Sequence, residues 1–320
     1  MVSFDNAELD IISMYGGSDQ KRGIIYRGDS YMLKLPDRPA DQKRLDLNSS
    51  YSNSAIAEYV SCHIIELIGI PVQSTEIGTL HRWSAYHNSV INDLVVACKR
   101  FVDDQHILAE FKLLANTILP VKCGKLPKIS EVYDVLQPNA YFTKQMARSA
   151  LNRYWDTFII DALLGNFDRH GNNWGYLINK DSKAVTLAPI YDCGSCLYPQ
   201  VSDAGCEIIL QNEAEIELRI KTFPNAALIL NNGKKVNYFE FINSGSNTDC
   251  DTALLRIAPL IDLERICGMI DSMQFLTEVR RNFYKLMICR RYEEILLPRY
   301  RVLAQGVNID TGRSCIFFEG

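Results

Sequence analysis

The sequence is poor in several features that would otherwise decide its class. No run reaches the roughly 20 apolar residues of a membrane-spanning helix. The most apolar window, Tyr59 to Val72, is broken by His63, Glu66 and Pro71. No basic-then-apolar leader opens the chain, whose first ten residues carry Asp5, Glu8 and Asp10. A soluble protein of a reducing compartment is therefore expected, with no membrane partner. Neither sign of charge dominates: 34 Lys and Arg stand against 38 Asp and Glu, a net charge of −4. That lacks the global basic footprint of a nucleic-acid binder, so direct nucleic-acid binding is not expected. Internal repeats and low-complexity segments are missing too. The ten cysteines are scattered, without the density of a disulfide scaffold. Only Cys193 and Cys196 form a Cys-x-x-Cys, and no second pair or nearby His completes a zinc site.

What is present is an ordinary globular composition, with 47% hydrophobic and 22% charged residues in 320. That length means two domains or one large two-lobed unit. Residues 23–35 read as a hairpin turning at Gly28-Asp29. Residues 36–53 read as a loop, and Asn53 or Ser54 caps a helix running to Ile68, stopped by Gly69 and Pro71. Strands are expected near Val72–Gly78 and Asp93–Cys98. From about residue 105 the pattern turns helical. Lys144–Leu164 has apolar residues at helical spacing, and Gly165 ends it. Two short strands follow, Trp174–Ile178 and Val185–Tyr191, and Phe275–Leu297 reads as a late helix. The tail gives only modest strand propensity at Cys315–Phe318. The boundary is placed after residue 103. Residues 1–103 form a β-rich lobe with a phosphate loop, hairpin, one helix and a hinge strand; residues 104–320 form a helical lobe carrying two polar loops.

Those loops are the informative part. Asp168 is followed five residues later by Asn173, and after a short hairpin by Asp192. The first Asp can orient a hydroxyl and take its proton. The Asn oxygen and second Asp can hold Mg²⁺ on nucleotide phosphates. The Asp-x4-Asn spacing alone means little. With 22 Asp and 21 Asn, about one to two matches arise by chance. Three occur, at Asp134–Asn139, Asp161–Asn166 and Asp168–Asn173. The second begins inside an apolar-periodic helix, and only the third lies in a polar loop before two strands and an Asp. Upstream, Lys34 lies on the second hairpin strand and Glu58 on the next helix, the order required for a phosphate-binding lysine and its partner. Glu66 and Glu76 are rivals for that pairing. Gly16, Gly17, Ser18 and Lys21 precede the first strand, where glycines let backbone N–H groups approach phosphate.

At these residues the chain resembles the HipA-like serine/threonine kinases, especially their short, cell-translocating form. The resemblance is carried by Leu163–Gly175, Ala188–Pro199, Tyr31–Pro36 and Glu58–His63, and it meets the pattern Asp-x-His-x-x-Asn with Asp168, His170 and Asn173. It implies an α+β, two-lobed protein-kinase-like fold with a small β-rich first lobe and a larger, mainly helical second lobe. It implies ATP and Mg²⁺, with Asp168 as base, Asn173 and Asp192 as metal ligands, Lys34 on the phosphates and Gly16–Lys21 as phosphate loop. Backbone groups at Ala97, Cys98 and Lys99 would bond the adenine. Full-length members carry an extra N-terminal region and work with a DNA-binding antitoxin. This chain begins almost at the phosphate loop, so that partner is not expected; a protein substrate of unspecified identity is. A bacterial cytoplasmic location is implied, with signal-less export to another cell as the other route.

Blander readings compete. Asp168, Asn173 and Asp192 can each be turn residues, Lys34 a solvent-facing strand lysine, and His170 a brace for its loop. Cys193-Gly-Ser-Cys196 can be a redox pair, though Pro199 follows too soon for the helix such a pair opens. The basic stretch Arg280, Arg281, Lys285, Arg290 and Arg291 reads as a solvated face, with an acidic-substrate or nucleic-acid patch as the sharper alternative. A small-molecule kinase, or an ATP-binding module without turnover, also fits.

Overall fold

The computed structural model describes residues 1–11, 21–36, 53–84 and 88–305. Gly16, Gly17, Ser18, the loop before residue 53 and the Cys315–Phe318 tail lie outside the described residues.

The first part of the chain is a six-stranded sheet. It is built from β1 (Val2–Ser3), β2 (Glu8–Leu9), β3 (Lys21–Tyr26), β4 (Asp29–Lys34), β5 (Thr75–Ser84) and β6 (Ser89–Lys99), in the order β1-β5-β6-β4-β3-β2. The β3–β4 hairpin turns at Arg27-Gly28, one residue earlier than the sequence predicts, with Tyr26 opposite Asp29. Both turn residues have positive φ, 52° and 84°, the geometry that matches strand twist in a two-residue loop. Gly28 therefore occupies the second turn position, where the left-handed backbone is free of Cβ strain. Helix α1 (Ser54–Ile68) packs on the sheet and buries Val60, Ile64 and Ile65 completely. Each such side chain is worth about 1.5–3 kcal/mol relative to exposure. Gly69, at φ 85°, ends the helix as expected. Asn53 does not cap it by side chain; its Nδ2 instead donates to the Pro199 carbonyl at 3.3 Å and the Val201 carbonyl at 3.1 Å, across to the second part.

Residues 100–105 lead to β7 (His106–Glu110), where the sequence pattern suggested only helix. This strand pairs antiparallel with β8 (Gly175–Asn179), which pairs with β9 (Val185–Leu187). The helices around this small sheet are α2 (Phe111–Ile118), α3 (Ile129–Val135), α4 (Lys144–Leu164), α5 (Asp203–Leu210) and α6 (Glu213–Lys221). After a hairpin of β10 (Asn225–Ile229) and β11 (Lys235–Asn237) come α7 (Tyr238–Ser244), α8 (Thr248–Ile257) and α9 (Leu263–Ser272). Helix α10 (Glu278–Arg291) runs through a π turn, Tyr292–Leu296, into α11 (Leu297–Gln305). It starts three residues later than the apolar pattern suggested, because Thr277 Oγ1 accepts the Arg280 N–H and caps it there. Helix α4 matches the sequence expectation at both ends, and its last residues, Thr157 to Leu164, are buried on every side.

The basic stretch on α10 is not one solvated face. Arg280 and Arg291 are 2% and 1% exposed. Arg280 donates to Asp203 at 2.7 Å and to the Val201 carbonyl at 2.9 Å. Arg291 donates to the carbonyls of Ala162 at 2.6 Å and Arg219 at 2.8 Å, and to the Tyr198 hydroxyl. Among the described residues no helix is long and apolar enough to cross a membrane.

Candidate active site

Lys34 ends β4, whose alternation puts it on the buried side of the sheet beneath α1. Its Nζ donates to Glu58 Oε2 at 2.6 Å and to Asp192 Oδ1 at 2.7 Å. Glu58, one turn into α1, is fully buried; its other oxygen accepts the Cys193 N–H at 2.9 Å. The partner of Lys34 is thus Glu58, not Glu66 or Glu76. Burial opposes the Lys34 charge, but the two carboxylates outweigh it and hold its pKa well above the ordinary value. Burial also works against the Asp192 carboxylate, yet Lys34 prevails and holds its pKa at about 2. Asp192 is therefore an ionised, partly exposed carboxylate at neutral pH.

Asp168 and Asn173 lie in the loop between α4 and β8. The Asp168 side chain is partly exposed, and burial raises its pKa against the pull of His170. Asn173 is buried, and its Nδ2 donates to the Asp168 carbonyl at 2.8 Å, which leaves its Oδ1 as the atom for another partner. His170 accepts the Asn172 N–H on Nδ1 at 3.3 Å and places Nε2 3.8 Å from Asp168 Oδ2. It sits beside the carboxylate with its ring held by the loop. Lys21 stands opposite Lys34 in the β3–β4 register, and its charge is among those that lower the Asp192 pKa.

The proposed adenine contacts need correction. Ala97 and Cys98 lie in the middle of the sheet, paired to β4 on one side and β5 on the other. Both ladders use up their backbone groups. The Lys99 N–H donates to the Ser74 carbonyl at 2.8 Å, and the Lys99 carbonyl accepts from Gln73 Nε2 at 3.0 Å. The Lys99 side chain faces Asp29 at 2.7 Å. None of the three has a free backbone N–H for a base. Sequence inspection places them well on a strand but cannot reveal the second neighbour, because β5 adjoins β6 as a hairpin while β4 lies far back along the chain, before α1.

Arg169 was missed by sequence reasoning and joins both loops. It is 9% exposed. Its Nε and Nη2 donate to Asp161 Oδ2 and Oδ1 at 3.0 and 3.1 Å, a two-pronged pair with the end of α4. Its Nη1 donates to the carbonyls of Asn173 at 3.1 Å, Tyr191, and Asp192 at 3.4 Å. Asn166 Nδ2 adds a bond to Asp161 Oδ1 at 2.9 Å. The set-aside Asp161–Asn166 match is thus the anchor of the site rather than a chance spacing. Tyr238 donates to the Asn166 carbonyl at 2.7 Å from α7. Asp192 itself has φ 58°, so its loop is held in a conformation L residues rarely adopt.

Cys193 and Cys196 follow Asp192 in a tight turn, with the Cys196 N–H on the Cys193 carbonyl at 3.1 Å and no helix behind it. Both are buried, as is Cys62 beneath them. Thiol donors Cys196 and Cys62, with the Arg169 guanidinium, hold the Cys193 pKa well below its ordinary value. The arrangement is a packed floor under the Asp192 loop, without the helix start that redox dithiols use.

A family model described as the HipA-like C-terminal domain matches residues 13–237. A curated relative, the serine/threonine-protein kinase CtkA of Helicobacter pylori, is 38% identical over 297 residues, covering 92% of this chain and 86% of its own. The crystal structure of a proinflammatory kinase CtkA from Helicobacter pylori has a TM-score of 0.85 at 34% identity, covering 97% of this chain and 99% of that one. A Shewanella oneidensis structure of HipA with HipB and operator DNA has a TM-score of 0.51 at 13% identity, covering 95% and 70%. At that identity the likeness is one of fold alone.

Proposed function

The chain belongs to the HipA-like C-terminal domain family, has the two-lobed kinase-like fold of that family, and on that premise we propose that it is a serine/threonine protein kinase. In this reading it transfers the γ-phosphoryl group of ATP, in the presence of Mg²⁺, to a protein hydroxyl. The observation that carries it is one cation, Lys34, held between Glu58 at 2.6 Å and Asp192 at 2.7 Å, with Asp168 and Asn173 tied to the Asp192 loop through Arg169.

The donor set fits Mg²⁺. Asp192 is ionised, and only its Oδ1 is engaged by Lys34. The Asn173 amide nitrogen is committed, which supports its oxygen as a second hard ligand. Bound there, Mg²⁺ would neutralise charge on the phosphates. Lys34, kept charged by Asp192 and Glu58, meets the same phosphates as a point charge. Asp168 orients the acceptor hydroxyl and receives its proton, a task helped by a carboxyl pKa that burial raises. Phosphoryl transfer has a loose transition state, so positioning and charge account for most of the catalysis. The adenine finds free backbone only past Lys99. Phe101 and Val102 have no hydrogen bond among the described residues, and the Phe101 ring lies 5.4 Å from that of Tyr191. Gly16, Gly17, Ser18 and Lys21 remain the proposed phosphate loop, and His170 the brace for Asp168.

The test is incubation with γ-labelled ATP, Mg²⁺ and a generic protein acceptor, for wild type and Asp168→Asn side by side. Wild type should label the acceptor, and Asp168→Asn should lose about 10²–10⁴-fold in rate. Undiminished transfer by the variant would overturn the base assignment. ATP binding by thermal shift without any transfer would favour a small-molecule acceptor or a module without turnover.

A further inference from the structure

A partly open cavity lies between α4, the 187–190 segment and β10, with Arg169 and Asn173 of the catalytic loop among its lining residues. Its walls are largely apolar, with Phe158, Ile190 and Leu228 among them. The polar groups at its edge are unusual in one respect. Those that hold partners are satisfied: Asp161 pairs with Arg169, Thr157 Oγ1 donates to the Arg153 carbonyl, and the Tyr238 hydroxyl donates to Asn166. Apart from the Asn173 Oδ1 and the lone pairs of the Tyr154 hydroxyl, the groups left over are donors. The Trp174 Nε1–H is buried without a partner. The guanidinium of Arg153 and the hydroxyl of Tyr154 make no hydrogen bond or ion pair among the described residues. The acidic neighbour of Arg153, Asp156, has its Oδ1 engaged by Arg256 at 2.7 and 3.0 Å. A half-buried cation and two polar hydrogens without acceptors carry a free-energy penalty that an incoming acceptor would remove.

We propose that this cavity is a binding site for a small carboxylate with a compact apolar body. The carboxylate accepts from Arg153, Trp174 and Tyr154, and the body fills the apolar walls. A neutral ligand would satisfy the walls but leave the guanidinium bare. A larger polyanion such as a nucleotide does not suit walls of this kind, since pockets for small apolar ligands combine apolar lining with a few converging polar groups. The one lining carboxylate, Asp161, does not repel the ligand, because Arg169 holds it on two bonds. That same pair ties the cavity to the loops of the candidate active site, so occupancy and the position of Arg169 are linked.

The probe is benzoate, with benzyl alcohol as its uncharged counterpart, titrated without nucleotide so that the outcome does not depend on kinase activity. Benzoate should raise the melting temperature of wild type in proportion to its concentration and shift the Trp174 indole N–H resonance, assigned by Trp174→Phe. Benzyl alcohol should bind at least about tenfold more weakly, as should benzoate to Arg153→Met. No shift of the Trp174 resonance, equal binding of the two probes, or undiminished benzoate binding by Arg153→Met would each overturn the proposal. The resonance measurement stands on wild type alone and holds even if the variant fails to fold.

Discussion

Lys34 and Arg169 are both buried cations that hold a carboxylate on another element, yet their surroundings differ. Lys34 presents one ammonium to two carboxylates, and one of these, Asp192, is open to the cleft. Arg169 spreads its fork over a carboxylate and three backbone carbonyls, with Asp161 2% and Asn166 0% exposed. A lysine is a point charge whose partners can be exchanged; an arginine fork fixes geometry. The difference teaches how one site can be both rigid and ready. In the proposed kinase reading the exchangeable contact faces the phosphates, and the fixed one sits behind the two loops.

The largest test of that contrast is Arg169→Met. It strips the buried Asp161 of its cation, leaving only the Asn166 amide, and should lower the unfolding free energy by about 3–5 kcal/mol in urea titration. A loss below about 1 kcal/mol would make Arg169 no more structural than Lys34. Lys34→Met should instead act on turnover, lowering phosphoryl transfer by about 100-fold or more, near 2.7 kcal/mol. Its stability loss should be the smaller of the two, because Asp192 gains water and Glu58 can take up a proton. Equal stability losses in the two variants would collapse the distinction.

Acid sharpens the comparison further. Asp192 is held at about 2 in the folded chain against an ordinary 3.8. Its contribution is therefore complete above about pH 4 and lost as the pH falls toward 2. Asp192→Asn should flatten the fall of unfolding free energy over that window, and an unchanged slope would remove Asp192 from the account. The smallest effect is expected at Asn53, whose Nδ2 bridges to the carbonyls of Pro199 and Val201. Asn53→Ala should cost about 1 kcal/mol in the same urea titration, with transfer nearly intact.

Much of this was legible in the sequence, for physical reasons that differ by element. Helix α4 could be read to the residue because its apolar spacing and Gly165 are local signals. Lys34 and Glu58 could be matched by their order along the hairpin and helix. The β3–β4 turn slipped by one residue because Gly28 fits either turn position, and only the register with Tyr26 opposite Asp29 decides. Strand β7 escaped because its partner, β8, lies about 70 residues further on. Arg169, Arg280 and Arg291 escaped because a charged residue reads as surface unless its acceptors are known. Those acceptors are mostly backbone carbonyls, which leave no mark in a sequence. Asp161 and Asn166 did leave one, but it was outweighed by the apolar helix around them.

Arg291 carries a consequence for modularity. The stretch matched by the family model stops at residue 237, inside the β10–β11 hairpin region. Yet the last turn of α4, which feeds the catalytic loop, has its Ala162 carbonyl held by Arg291 from α10, more than fifty residues past that limit. The stretch matched by the family model is thus shorter than the unit that folds. A fragment cut at that boundary would keep every proposed catalytic side chain and lose the buttress beneath them.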